Sequence, residues 1–290
     1  MIQVFYYILI KPLSLLPFSA LYVLSDLLNF LVFRVFRYRQ KVVTENLKNS
    51  FPEKSWKEIK EIRGKFYKHF FDLIVESLKL FSPDVEDINQ RMQVTNPEIL
   101  DKYYEQGRGV VICGGHYSNW EFVTISVETQ LKHQTSAIYH QFKNKFLERI
   151  MLESRSISGM LMVSRKAAKE GFYNTITDPI AIIFGTDQSP TIAKKVYWTQ
   201  FLNQETAVAF GSEKFAKERD CVVVWVDNVK IARGQFRLTI KVLTENPLEE
   251  EHGFITEMHT KALEEQIIRK PEHWLWTHKR WKRKRREDEH

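Results

Sequence analysis

Cysteine is scarce in this 290-residue chain, which has only Cys113 and Cys221. Two cannot build a disulfide framework, and that fits a reducing compartment. A spread-out charge of one sign is also missing. Lys and Arg number 43 against 36 Asp and Glu, a net of +7, yet seven of the basic residues fall in KRWKRKRR, residues 279–286. The rest of the chain is balanced. This argues against a nucleic-acid-binding body and points to a local contact with anionic groups. No internal repeat, low-complexity linker or obvious domain boundary is visible. With 43% apolar and 27% charged residues, the chain is neither disordered nor a multi-span membrane protein. Its length suffices for one large domain, or two small ones, with a real core.

What is present is grease near the start. Of 20 phenylalanines, 10 lie in the first 81 residues, and residues 1–33 carry only two charges, Lys11 and Asp26. A spanning helix needs about 20 apolar residues. Residues 12–33 have the length, but Pro17 and Asp26 interrupt it. A secretory signal is disfavoured, because the extreme N-terminus lacks basic residues and no small-residue cleavage site follows. Arg34, Arg37, Arg39 and Lys41 come next, and positive charge beside an apolar segment marks the cytoplasmic side. We expect residues 1–36 to be a membrane-anchoring segment, spanning or interfacial, and residues 37–290 to be one cytoplasmic α/β domain. The basic tail is expected to meet an anionic surface, with Trp281 at headgroup level.

Ser55 and Glu58 have the spacing of a capping box. The apolar stripe Ile59, Ile62, Phe66, Phe70, Ile74 and Leu78 then predicts a long helix ending at Ser82-Pro83. From residue 109, short apolar runs alternate with helical stretches. Strands are expected at Val110–Cys113, Ser136–Tyr139, Met160–Val163, Ile180–Phe184, Val222–Val226 and Phe236–Val242. Helices are expected near 119–131, 143–156, 165–173, 206–219 and 253–269. The alternation implies a mostly parallel central sheet flanked by helices, with an antiparallel hairpin at Gly234.

The chemistry concentrates in VVICGGHYSNWEF, residues 110–122. A strand running into Gly114-Gly115 would deliver His116 at its carboxyl end, where open α/β sheets bind ligands. Glu121 can reach His116 only if the histidine precedes a helix that holds Glu121 in its first turn, with Ser118 or Asn119 as cap. On this reading His116 is a general base kept neutral by the helix N-terminus. Glu121 holds its other ring nitrogen, and nearby backbone N–H groups offer an oxyanion site. Cys113 reads as a buried small hydrophobe. The spacing of His116, Glu121, His133 and His140 matches no zinc pattern, so no metal is expected.

The form HYSNWE resembles the late acyltransferases of lipid A biosynthesis, the lauroyl/myristoyl transferase family. These stand within the wider group of glycerolipid acyltransferases with a His-x4-Asp/Glu dyad. Three further segments resemble the family in the same order: YRQKVVTENLKNSFP at 38–52, YHQFKNKFLERIMLESR at 139–155 and PEHWLWTHKRWK at 271–282. His140 stands where the family often has Arg. The resemblance implies a glycerolipid-acyltransferase-like α/β fold with an N-terminal membrane helix. It also implies transfer of a fatty acyl chain to a hydroxyl of a lipid acceptor, with lipid A or its precursor favoured. The donor would be a thioester on acyl carrier protein or coenzyme A, no further cofactor is needed, and the enzyme would work at the cytoplasmic side of the inner membrane. His116 and Glu121 would be catalytic. Arg155, Asn119, Asp187 and Gly115 are the candidate substrate-binding residues. Alternatives are O-acylation of an ornithine-type lipid or lysophospholipid, and a non-catalytic membrane scaffold.

Overall fold

A computed structural model describes residues 2–191 and 196–286; the basic pair Lys194 and Lys195, a candidate headgroup contact, lies outside them. The chain begins with α1 (Ile2–Phe5), α2 (Lys11–Leu15) and α3 (Phe18–Leu28), with wide helical turns at Tyr6–Ile10 and Asn29–Val35. Leu16 and Pro17 are extended and break this run. Among the described residues no helix is long and apolar enough to cross a membrane. The N-terminal membrane helix expected from the sequence is therefore not found as a span. Its apolar residues are divided between two directions. Leu21 is fully buried, whereas Ile8, Val23 and Phe36 are each more than 70% exposed.

Helices α4 (Gln40–Ser50) and α5 (Trp56–Ser77) follow. The expected capping box starts α5: the Ser55 hydroxyl accepts from Glu58 N–H, and the Glu58 carboxylate accepts from Ser55 N–H at 2.8 Å. The buried face is broader than the expected stripe. Phe66, Tyr67, Phe71, Leu73 and Val75 are buried while Ile74 is exposed, because α5 is covered by α3 on one side and by residues 271–273 on another. It also carries charge inward. Asp72, 3% exposed as a side chain, receives Ser25 Oγ (2.8 Å), Lys230 Nζ (3.2 Å) and Arg233 Nη2 (2.6 Å). Arg233 also pairs with Asp26 at 2.8 Å. The acidic residue that spoils a span in the sequence thus ties α3 to the domain.

Among the described residues, nine strands form two sheets: β1 (Met92–Val94), β2 (Val110–Gly114), β3 (Gln134–Tyr139), β4 (Leu161–Ser164), β5 (Ile180–Gly185), β6 (Val196–Phe201), β7 (Gln204–Ala209), β8 (Val222–Ala232) and β9 (Gln235–Thr244). The main sheet has the order β1-β9-β8-β2-β5-β3-β4. Its pairings are parallel except for the β8–β9 hairpin, which turns at Gly234 as expected. Flanking helices are α6 (Val85–Arg91), α7 (Asp101–Glu105), α8 (Trp120–Gln130), α9 (Lys145–Arg155), α10 (Arg165–Lys169), α11 (Gly211–Arg219) and α12 (Phe254–Arg269). In β2, Val111 and Cys113 join the core under α4, α5, α11 and α12, while Val110 and Ile112 join the opposite one. Both faces of the strand are dry, as its unbroken apolar run requires.

One expected helix starts too early. Residues 204–209 are strand β7, paired antiparallel with β6, and α11 begins only at Gly211. The tail also differs from a free basic patch. Arg280 and Arg283 are buried, and their guanidinium groups donate to Ala207 O and Thr191 O, both at 2.8 Å. Trp281 Nε1 donates to Thr206 Oγ1 at 2.8 Å, which removes its ring from headgroup level. Buried guanidinium donors need acceptors, and the carbonyls of Ala207 in β7 and of Thr191 supply them. Lys279, Lys282 and Lys284 stay exposed.

Candidate active site

Strands β2 and β5 are parallel neighbours in which Gly114 sits opposite Gly185. Two residues beyond those glycines come His116 and Asp187, so the register itself brings the two side chains together. Thr186 N–H donates to Gly114 O at 2.9 Å and extends the pairing. Gly185 permits the approach: a Cβ there would stand 3.1 Å from His116 Cε1.

His116 Nδ1–H donates to Asp187 Oδ1 at 2.6 Å, and His116 backbone N–H donates to Asp187 Oδ2 at 2.8 Å. Trp274 Nε1–H adds a third donor to Oδ2, also at 2.8 Å. Burial alone would raise the Asp187 carboxyl, but His116 and these donors pull it well below the usual carboxylate range. Burial alone would likewise lower His116. The charge and hydrogen bond of Asp187, with Glu121 nearby, outweigh it and raise the imidazole above its ordinary value. From the sequence, the helix N-terminus is expected to favour the neutral imidazole; the Asp187 carboxylate acts in the opposite direction and raises its pKa. With Nδ1 committed, Nε2 is the outward nitrogen, 3.1 Å from the exposed Gln188 amide nitrogen. The Trp120 ring lies edge-on to the imidazole, with centroids 5.2 Å apart.

Glu121 does sit in the first turn of α8, but its partner is not the histidine. Both carboxylate oxygens accept from Arg155 Nη2, at 3.1 and 3.0 Å, and one accepts from Trp120 Nε1 at 3.3 Å. Arg155, at the end of α9, keeps its buried Nε without a partner. The expected His116–Glu121 contact is thus replaced by two pairs, His116–Asp187 and Glu121–Arg155. Asp187 is the imidazole's carboxylate rather than a group open to substrate. Asn119 is fully buried and serves as the α8 cap, accepting from Phe122 N–H at 3.0 Å. It has no surface to offer a substrate. Gly115 is required for packing, since a Cβ there would stand 2.6 Å from Leu263 Cδ1 of α12.

The turn at 114–119 is held by residues far along the chain. Ser118, at φ +57°, donates N–H to His273 O (2.9 Å), and Leu275 N–H donates to His116 O (3.2 Å). The two outer family-like segments meet here as well. Arg39 donates to Thr277 O (2.9 Å), and Asn46 donates to Trp276 O (2.9 Å) and His278 O (3.0 Å). Trp274 and Gln188 escape sequence reasoning as site residues. The one signal for Trp274 is its place in PEHWLW; none singles out Gln188. His133 Nε2–H donates to Arg108 O (3.1 Å) and His140 is on the surface. Among the described residues no three His, Cys, Asp or Glu side chains are grouped to hold a metal.

The family model for bacterial lipid A biosynthesis acyltransferase matches residues 1–283. The lipid A biosynthesis palmitoleoyltransferase of Escherichia coli (strain K12) is 23% identical over 269 residues, 92% of this chain and 86% of that protein. A lipid A biosynthesis acyltransferase of Shigella flexneri is similar to the same extent. The lauroyltransferase of the same E. coli strain is 23% identical over 273 residues, 92% of this chain and 87% of that one. With residues 1–283 matched, nearly its whole length, the chain belongs to the bacterial lipid A biosynthesis acyltransferase family.

Proposed function

We propose that this protein transfers a fatty acyl chain from an acyl thioester to a hydroxyl of lipid A or its precursor. The observation that carries the reading is the outward Nε2 of His116, made basic by the Asp187 carboxylate on Nδ1 and set beside the Glu121–Arg155 pair. Nε2 takes the proton of the acceptor hydroxyl as its oxygen attacks the thioester carbonyl carbon. The carbonyl oxygen becomes an oxyanion, for which the partly exposed Arg155 guanidinium is the nearby positive charge. Collapse breaks the carbon–sulfur bond, and the imidazolium returns its proton to the departing thiolate. Atoms and protons balance without a metal or redox group. Glu121 acts on Arg155, holding the guanidinium by two hydrogen bonds. The donor is a thioester of acyl carrier protein or coenzyme A.

We assign residues 1–36 to membrane attachment and residues 37–290 to catalysis. Support comes from the outward apolar side chains of the first segment, Ile8, Val23, Leu27, Phe30 and Phe36 among them, which suit an interfacial anchor. The exposed Arg37, Arg39 and Lys41 support a domain on the cytoplasmic side of the inner membrane, since positive charge beside an apolar segment favours that side. Lys282 and Lys284 add attraction of about 1 kcal/mol each to an anionic surface. Mass spectrometry of total lipids from cells with and without the protein tests the reaction: one acyl chain on lipid A should be missing without it. His116→Ala should fail to restore that chain. Full restoration by His116→Ala, or an unchanged lipid profile, would remove the proposal.

A further inference from the structure

Glu76 lies deep in α5, fully buried and outside the chemistry described so far. Its Oε2 accepts from Asn119 Nδ2 at 2.8 Å, and its Oε1 accepts from Tyr22 OH at 3.0 Å. Asn119 is also the cap of α8, with Oδ1 on Phe122 N–H at 3.0 Å. The amide therefore has one orientation: its oxygen must face the helix and its nitrogen must face Glu76. A turn of the amide would put two acceptors together at Glu76 and leave Phe122 N–H unpaired in the interior. Asn228 of β8 grips the same turn from below, donating Nδ2 to Asn119 O (3.2 Å) and Tyr117 O (3.3 Å). Besides Phe122 N–H of its own helix, Glu76 of α5 holds the side chain of Asn119. Three residues before Asn119 is His116; two residues after it is Glu121.

We propose that Glu76 is a positioning residue of the acyl-transfer site. It holds the His116–Glu121 turn through Asn119 and ties that turn to α3 through Tyr22. The chain Tyr22–Glu76–Asn119 runs from the helix that turns Val23 and Leu27 outward to the cap of the helix that carries Glu121. What the site requires of position 76 is a buried acceptor, since both of its partners are donors. A side chain that accepts at Asn119 without a charge should serve. One that fills the space without accepting should let the turn drift, and misplacement of about 1 Å costs roughly 10²-fold in rate.

The proposal rests on the acyl-transfer reading, but its first readout does not. The full-length protein in detergent micelles, carrying 13C-labelled histidine, reports the titration of His116 by NMR, with the His116→Ala spectrum as assignment. The groups facing that ring are Asp187, Glu121, Arg155, Gln188 and Trp120. In Glu76→Met the His116 titration should move down toward the ordinary value of about 6.5. With a lauroyl thioester and a lipid A precursor, kcat should fall about 10²-fold with KM little changed. Glu76→Gln should behave as wild type in both. Asn119→Ala, which loosens the turn without touching α5, should reproduce the His116 shift and serves if Glu76→Met does not fold. A folded Glu76→Met or Asn119→Ala protein with wild-type titration and kcat would overturn the proposal, as would Glu76→Gln matching Glu76→Met. A wild-type protein inactive toward every lipid hydroxyl would count against acyl transfer alone, and the titrations would still decide the role of Glu76.

Discussion

His116 Nδ1 lies 2.6 Å from Asp187 Oδ1, although 71 positions separate the two residues. Each stands two residues past a paired glycine on adjacent parallel strands, so the contact follows from sheet register. Asp187→Asn keeps the shape and removes the charge that raises the imidazole. Burial and Arg155 then act on His116 against Glu121 alone, and its pKa should fall. A general base works when neutral. The acid limb of kcat/KM, above about 6.5 in the wild type, should therefore move to lower pH in Asp187→Asn, while kcat falls about 10²-fold or more. A pH–rate profile checks this; an unmoved acid limb would disconnect Asp187 from the base.

The same pair has a stability signature. The raised His116 contributes stability below its unfolded value of about 6.5, lost as pH rises through its folded value. The lowered Asp187 contributes above about 3.9, lost as pH falls through its folded value. The stability gap between wild type and Asp187→Asn should therefore be widest between these limits and should narrow toward alkaline pH. Urea unfolding at a series of pH values measures it.

Glu121 and Arg155 should behave as one unit. Glu121→Gln and Arg155→Lys should each lower kcat/KM, and the double variant should be little worse than the poorer single one. The coupling for such a bidentate pair is about 1–3 kcal/mol. Additive losses would mean that the two residues act separately.

Arg233→Ala should destabilise the fold by roughly 2 kcal/mol. Removing one partner from a buried ion pair costs about 3–5 kcal/mol, but Lys230 remains on Asp72 and Arg233 is itself partly exposed. The first structural element to loosen should be α3, which loses its Asp26 tie. Hydrogen exchange would show that as faster exchange at Phe18–Leu28 before the sheet.

Val23→Glu with Phe36→Glu should release the protein from lipid vesicles. Each side chain brings roughly 1.5–3 kcal/mol of burial. Both are largely exposed in the fold, so thermal stability in detergent should stay within about 0.5 kcal/mol of wild type. Flotation with unchanged binding would remove the anchor assignment.

The sheet was legible because its buried strands are unbroken apolar runs, and His116 was legible because two glycines follow one of them. The partner of His116 was not. Glu121 is five residues away in sequence, and local spacing favours it. The α8 first turn, however, aims it toward α9, while the β2–β5 register delivers Asp187. Register between strands separated by two others in the chain leaves no periodic trace. The β7 segment, QETAVA, runs into the helix expected at 206–219 for a related reason: small and branched residues fit either state, and pairing with β6 decides it. The tail's charges were legible as composition, but not the carbonyls waiting for Arg280 and Arg283.

The grip of residues 273–278 on the histidine turn and on α4 sets an order of events during synthesis. Segments 2–36 leave the ribosome first and can meet a membrane while most of the sheet is unmade. His116, Asp187 and β8 emerge later, and the backbone that clamps Ser118 and His116 emerges after all of them. At about 5–20 residues per second, the interval between the first apolar helix and the last clamp is on the order of ten seconds or more. A nascent chain that meets lipid early would do so with the turn that carries His116 still unclamped, until residues 273–278 have docked.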